Sequence, residues 1–223
     1  MLIQIYAFTQ VDEAVAAAEM GVDQIGFVAG CYGIVHGELS FAAARRLAEA
    51  LPGGTTRVAL TMATEVDEIV RLAETVGPDI IHISTDLDDV GVEAMAALRR
   101  RLPAGMKIMK ALPVGGEESL EAARRFAPVS DLFLLDSKGR GLPGIGASGL
   151  THDWAISRRI VEAAPIPVIL AGGLSAGNVA EAIRAVRPAG VDSNTATNVP
   201  GDPVAKDLGR IRAFVAAVRG ARR

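Results

Sequence analysis

Eight short apolar segments recur along the chain, each followed by a longer stretch with helical spacing. They are LIQIY (2–6), QIGFVA (24–29), RVALTM (57–62), DIIHIS (79–84), KIMKAL (107–112), DLFLLD (131–136), PVILAG (167–172) and GVDS (190–193). Runs of this length, rich in Ile, Val, Leu and Phe, read as strands. The intervening segments are amphipathic. VDEAVAAAEM (11–20) opens on acids and has Gly21 to close it, while FAAARRLAEAL (41–51) follows Ser40 as an N-cap and stops before Pro52-Gly53. Strands apolar on both faces must be covered on both, and helices between them impose parallel pairing. Six or seven such units would suit an open doubly wound sheet. Eight fit a closed ring, so the expected class is α/β, a single (β/α)8 TIM barrel domain over residues 1–223.

Length agrees, because eight units consume the 223 residues and leave no second domain or linker. The chain is 50% hydrophobic with a formal charge of −3, which supports a sizeable core and argues against nucleic acid or an anionic membrane as partner. Its single cysteine, Cys31, excludes an intramolecular disulfide and a Cys-rich metal site. The opening MLIQIYAF is short for a signal peptide and has no basic leader. No apolar run reaches the ~18–20 residues that span a bilayer. A cytoplasmic monomer or homodimer acting on a small metabolite is the expectation.

In such a barrel the chemistry sits beyond the C-terminal ends of the strands. Three loops there exceed the usual length, at 30–40, 137–152 and 193–205. Asp136 ends its strand on the face of Leu134, where a partly desolvated carboxyl can donate a proton near neutrality. Tyr6 shares a face with Gln4; a phenol of pKa near ~10 is a poor base without a cationic neighbour. His82 points inward with Ser84, and His36 and His152 lie on the two longest loops, all three able to titrate near pH 7. Together with Glu38, Asp136 or Asp153 they could instead hold a divalent metal, although no His pair has ligand spacing. Gly172 and Gly173 open a strand-to-helix turn suited to phosphate, with Asn194, Thr195 and Thr197 as further donors. Lys110 and Lys138 are available for charge recognition.

Several of these stretches, taken in order, resemble the phosphoribosylanthranilate isomerase family. They are EAVAAAEMGVDQIGFV (13–28), HISTD (82–86), MKALPV (109–114), FLLDS (133–137), GIG and HDW (144–154), PVILAGGLSAGNVAEAI (167–183), GVD (190–192) and KDLGRIRAFV (206–215). The resemblance implies an Amadori rearrangement of a phosphoribosyl N-glycoside to an open-chain ketose, without a metal or organic cofactor. It implies an acid at Asp136 and supports phosphate at Gly172 and Gly173; the loop after the eighth strand, SNTATN (193–198), differs from the family's, and Asn194 and Thr195 are expected there as further phosphate donors from their position, with Gln4, Lys138, His152, Asp153 and Asp192 as substrate contacts. The family has a cysteine base on the first strand, where this chain has Tyr6, and an arginine in the loop after the second strand, where GCYGIVHGELS (30–40) has none. Tyr6, His82 or His36 is then left to supply the base. Gly139–Gly149 reads as a cover over the site, with THDW starting the next helix. An epimerase or lyase on another phosphorylated substrate, metal-dependent or not, and a non-catalytic ligand-binding barrel stand as alternatives.

Overall fold

The computed structural model describes residues 1–137, 144–145 and 153–221. Eight parallel strands make one sheet: β1 (Leu2–Ile5), β2 (Gln24–Ala29), β3 (Thr56–Thr61), β4 (Ile80–Ile83), β5 (Lys107–Pro113), β6 (Leu132–Asp136), β7 (Val168–Leu170) and β8 (Gly190–Ser193). Because β1 pairs with both β2 and β8, the sheet closes on itself. A helix follows each strand: α1 (Val11–Glu19), α2 (Phe41–Ala50), α3 (Val66–Val76), α4 (Val92–Arg101), α5 (Glu117–Phe126), α6 (Trp154–Ala163), α7 (Val179–Val186) and α8 (Leu208–Gly220). This is the expected (β/α)8 barrel, with element ends moved by a residue or two. The loop 30–40 holds an unexpected two-residue strand, Glu38–Leu39, paired with the end of β2.

Alternation along the strands sorts side chains into two cores. Ile3, Ile25, Phe27, Ile81, Phe133 and Val191 pack against the helices. Val58, Ile80, Met109, Leu132, Leu134 and Ile169 fill the barrel with Tyr6 and Ala171. Each fully buried aliphatic or aromatic side chain adds about 1.5–3 kcal/mol. Lys110 falls on the outer side: its register partners Ile83 and Phe133 belong to the strand–helix core. Its Nζ donates to the Thr85 carbonyl at 2.8 Å and stands 5.7 Å from the Phe126 ring. The sequence reading had offered Lys110 to an anionic ligand at the mouth; the strand parity turns it away.

At the N-terminal end of the barrel one device appears three times. Asp23, Asp79 and Asp131 stand one residue before β2, β4 and β6 and accept the amides of Ile3, Arg57 and Ile108 on the preceding strands. An arginine joins each carboxylate: Arg219, Arg57 and Arg99 respectively. Helix starts are secured as the sequence implied, with Ser40 Oγ accepting from Ala43 and Asp153 Oδ1 from Ala155.

Candidate active site

Tyr6 follows β1 on the interior face and crosses the barrel. Its hydroxyl lies 2.6 Å from His82 Nδ1 on β4, and both side chains are buried. The ring fits because residue 26 of β2 is glycine: a Cβ there would stand 2.4 Å from Tyr6 Cδ1. Burial, followed by the nearby Asp192 carboxylate, pushes the phenol well above its ordinary value. Burial, then the Lys110 charge, takes His82 down to about 3. Both shifts favour the uncharged forms, so the phenolic proton stays on oxygen and the imidazole stays neutral. The neutral pair wins. With the phenol donating to Nδ1, the imidazole proton sits on Nε2, which is buried and has no partner among the described residues.

Two carboxyls stand on the same interior face, from β6 and from β8 next to β1. Asp136 ends β6, and burial lifts its carboxyl to about 7 against a smaller opposing bond from the Ser137 amide at 2.6 Å. Asp192 on β8 is buried at 6% exposure. Burial carries it to about 8, helped by the Asp136 charge and opposed by Gln4 and Lys206. Gln4 Nε2 donates to Asp192 Oδ1 at 3.1 Å, and the two residues are register partners on neighbouring strands. Two carboxyls tuned near neutrality on one rim can divide acid and base duties.

Beyond β7 the chain turns through Gly172 and Gly173 with φ of 82° and 61°, a region side chains disfavour. Asn178 braces this turn, accepting from the Ser175 amide and donating to the Gly173 carbonyl. Ser193 Oγ donates to the Leu174 carbonyl and so ties the turn to the loop after β8. Thr195–Thr197 form a 3-10 turn in that loop, beginning after Asn194. Lys206 holds it from behind: its Nζ donates to Asn194 Oδ1 at 3.0 Å and Asn198 Oδ1 at 2.6 Å. The turn after β7 and the loop after β8 are thus braced against one another, with Lys206 buried behind them.

The remaining candidates are dispersed. His36 lies exposed on the loop after β2. Glu38 organises that loop by accepting the amides of Gly33, Ile34 and Val35. Burial opposes its ionisation, yet the amides of Val35, Ile34, Gly33 and Tyr32 hold its carboxyl below the ordinary range. Cys31 is exposed. Asp153 caps α6, and Lys138, His152 and most of Gly139–Gly149 lie outside the described residues. Among the described residues no three His, Cys, Asp or Glu side chains are grouped to hold a metal ion. One piece of the β6–α6 loop is described: the Ile145 amide donates to the Ser84 carbonyl at 2.9 Å, and Ser84 Oγ donates to the Ile145 carbonyl at 2.7 Å. A Cβ on Gly144 would stand 2.7 Å from the Ser84 oxygen, so glycine permits this docking across the mouth.

Sequence reasoning passed over Gly26, Lys206 and the Ser84–Ile145 contact. For Gly26 a signal existed, since an isolated glycine inside a strand marks close approach by another group. The other two depend on contacts between distant loops and carried no local signal.

Known proteins share this fold over nearly the whole chain. Residues 4–217 match the family described as N-(5'phosphoribosyl)anthranilate (PRA) isomerase. N-(5'-phosphoribosyl)anthranilate isomerase of Haloferax volcanii is 35% identical over 220 residues, covering 99% of this chain and 94% of that protein. The enzyme of the same name from Methanothrix thermoacetophila is 37% identical over 194 residues, 86% of this chain and 88% of its own. The crystal structure of phosphoribosyl anthranilate isomerase from Thermus thermophilus superposes with a TM-score of 0.82 at 26% identity, with all of both chains covered. Closed barrel, acid at the end of β6 and paired loops after β7 and β8 therefore sit in a known lineage, and the chain belongs to the N-(5'-phosphoribosyl)anthranilate isomerase family.

Proposed function

We propose that this chain is an aldose–ketose isomerase that carries out an Amadori rearrangement on a small phosphorylated metabolite, a phosphoribosyl N-glycoside of the kind its relatives are named for. The observation that carries this reading is Asp136, a carboxyl on the interior rim whose burial holds it protonated to about pH 7. From there it serves as the acid that protonates the ribosyl ring oxygen. The phosphate fits across the rim, on the amides around Gly172, Gly173, Asn194 and Thr195. Among the described residues those four amides donate to no protein group. Gln4 orients Asp192 at the floor of the site.

Among the described residues no helix is long and apolar enough to cross a membrane. Soluble expression in a tryptophan auxotroph is therefore a practical test. Growth supports the proposal, and its loss in Asp136→Asn with the protein still folded assigns the acid. Soluble wild-type protein that neither complements nor turns over a panel of phosphoribosyl N-glycosides ends it. Thermal stabilisation by one panel member without turnover would point to a ligand-binding barrel, a reading favoured by the neutral Tyr6–His82 pair.

A further inference from the structure

We propose that Lys206 is a positioning residue for phosphate: held behind the loop after β8, it takes the oxygen of the Asn194 carboxamide and leaves the NH2 of that amide as a donor for the anion. The inference rests on the phosphosugar isomerase reading above and deepens it.

Placement is the first argument. Lys206 forms a backbone bridge with Asn198, and the next residue, Asp207, caps α8 by accepting the amides of Gly209 and Arg210. The lysine side chain is buried, with Nζ 5.5 Å from the Phe8 ring. Nζ donates to Asn194 Oδ1 at 3.0 Å and to Asn198 Oδ1 at 2.6 Å. An ammonium has donors only, so each carboxamide must present its oxygen to it.

The two asparagines then part ways. Asn198 is buried, and its Nδ2 donates to the Pro203 carbonyl at 2.8 Å, so both ends of that amide are used. Asn194 is half-buried, and among the described residues its Nδ2 donates to no group. Nor is that nitrogen one of the enclosed polar atoms, so it is open to solvent. The backbone amides of Asn194 and Thr195 are unpaired as well, and the Ser193–Leu174 bond ties their loop to the turn at Gly172 and Gly173. Unpaired N–H groups on two joined loops suit an anion whose ionised oxygens accept.

Charge is the third argument. Residues 171–178 and 193–205 include no lysine or arginine. A phosphate ester brings about 1.5–2 negative charges at neutral pH, and Lys206 is the cation bonded to these loops. Burial lowers its pKa to about 8, with the Asp192 and Glu13 charges opposing, so the ammonium persists at neutrality. A cation on the amide oxygen also polarises the NH2 at the other branch and strengthens it as a donor.

The test uses the full chain with two probes, inorganic phosphate followed by phosphorus NMR line broadening, and N-(5'-phosphoribosyl)anthranilate in turnover. Lys206→Met removes the ammonium and keeps most of the stem. Asn194→Asp keeps an oxygen for Lys206 and replaces the NH2 by a second oxygen. Both should weaken phosphate binding and raise KM by about 10- to 100-fold, with kcat within about tenfold of wild type. Asn194→Asp should melt no lower than wild type, and Lys206→Met should cost less phosphate affinity in an Asn194→Ala chain than in wild type. A merely structural role for the lysine predicts unchanged phosphate affinity in Asn194→Asp, which preserves its bond, and that variant decides alone where Lys206→Met does not fold. Phosphate affinity within twofold of wild type in either folded variant, or a loss confined to kcat, overturns the assignment while leaving the isomerase reading intact. A wild type that neither binds phosphate nor turns over the second probe overturns both.

Discussion

The two ends of the barrel use aspartate in opposite ways. At the N-terminal end Asp79 accepts a strand amide and two bonds from Arg57, and the bond from that guanidinium is the main reason its carboxyl lies below the ordinary range. At the C-terminal end Asp136 is half-buried and Asp192 buried, no arginine among the described residues joins either, and desolvation carries them up to about 7 and about 8. The same side chain thus secures strands at one rim and is held near neutral titration at the other. What differs is the compensation for desolvation, and a carboxyl left uncompensated is available for chemistry at the expense of stability.

The largest break in this contrast should come from Asp192→Asn. Because the folded pKa is raised from 3.8 to about 8, folded protein keeps a proton that unfolded chain releases, so this contribution is full below about pH 4 and is lost as pH rises through about 8. The variant lacks that slope and should be more stable than wild type at pH 9, by up to about 5 kcal/mol, in denaturant titrations at several pH values. Gly26→Ala should be next, at about 1–3 kcal/mol of destabilisation from overpacking against Tyr6, and Tyr6→Ala in the same chain should relieve that clash. Asp79→Asn should lower stability by about 1–2 kcal/mol, a moderate figure because the pair is partly open to solvent, and should leave kcat unchanged. The smallest effect is expected at Ala7, which has φ of 66° beside the mouth. Ala7→Gly should raise the melting temperature slightly, for a gain of about 0.5–1 kcal/mol.

How far the sequence discloses all this differs between framework and site. Barrel and strand order follow from local periodicity, and the apolar strands fall within a residue or two of their expected limits. Asp136 and the Gly172-Gly173 turn were legible because each is marked by its own neighbours along the chain. Tyr6 and His82 were visible singly, but their mutual hydrogen bond spans 76 positions and depends on barrel curvature. It converts two candidate bases into a neutral pair. Lys110 misled because a lysine at a strand end reads as a ligand for anions, while strand parity decides its direction. Glu38 looked like a metal ligand and instead gathers the amides of its own loop, a local arrangement that composition does not reveal.

The contact between Tyr6 and Gly26 also constrains history. With an aromatic ring resting where a Cβ would stand 2.4 Å away, a tyrosine at position 6 is accommodated without strain only when position 26 is glycine. A smaller residue at position 6 imposes no such demand, so the two changes are accessible in one order and obstructed in the other. A larger side chain at position 26 would deepen the clash, so the room that lets Tyr6 reach His82 is supplied by one missing methyl group on a neighbouring strand.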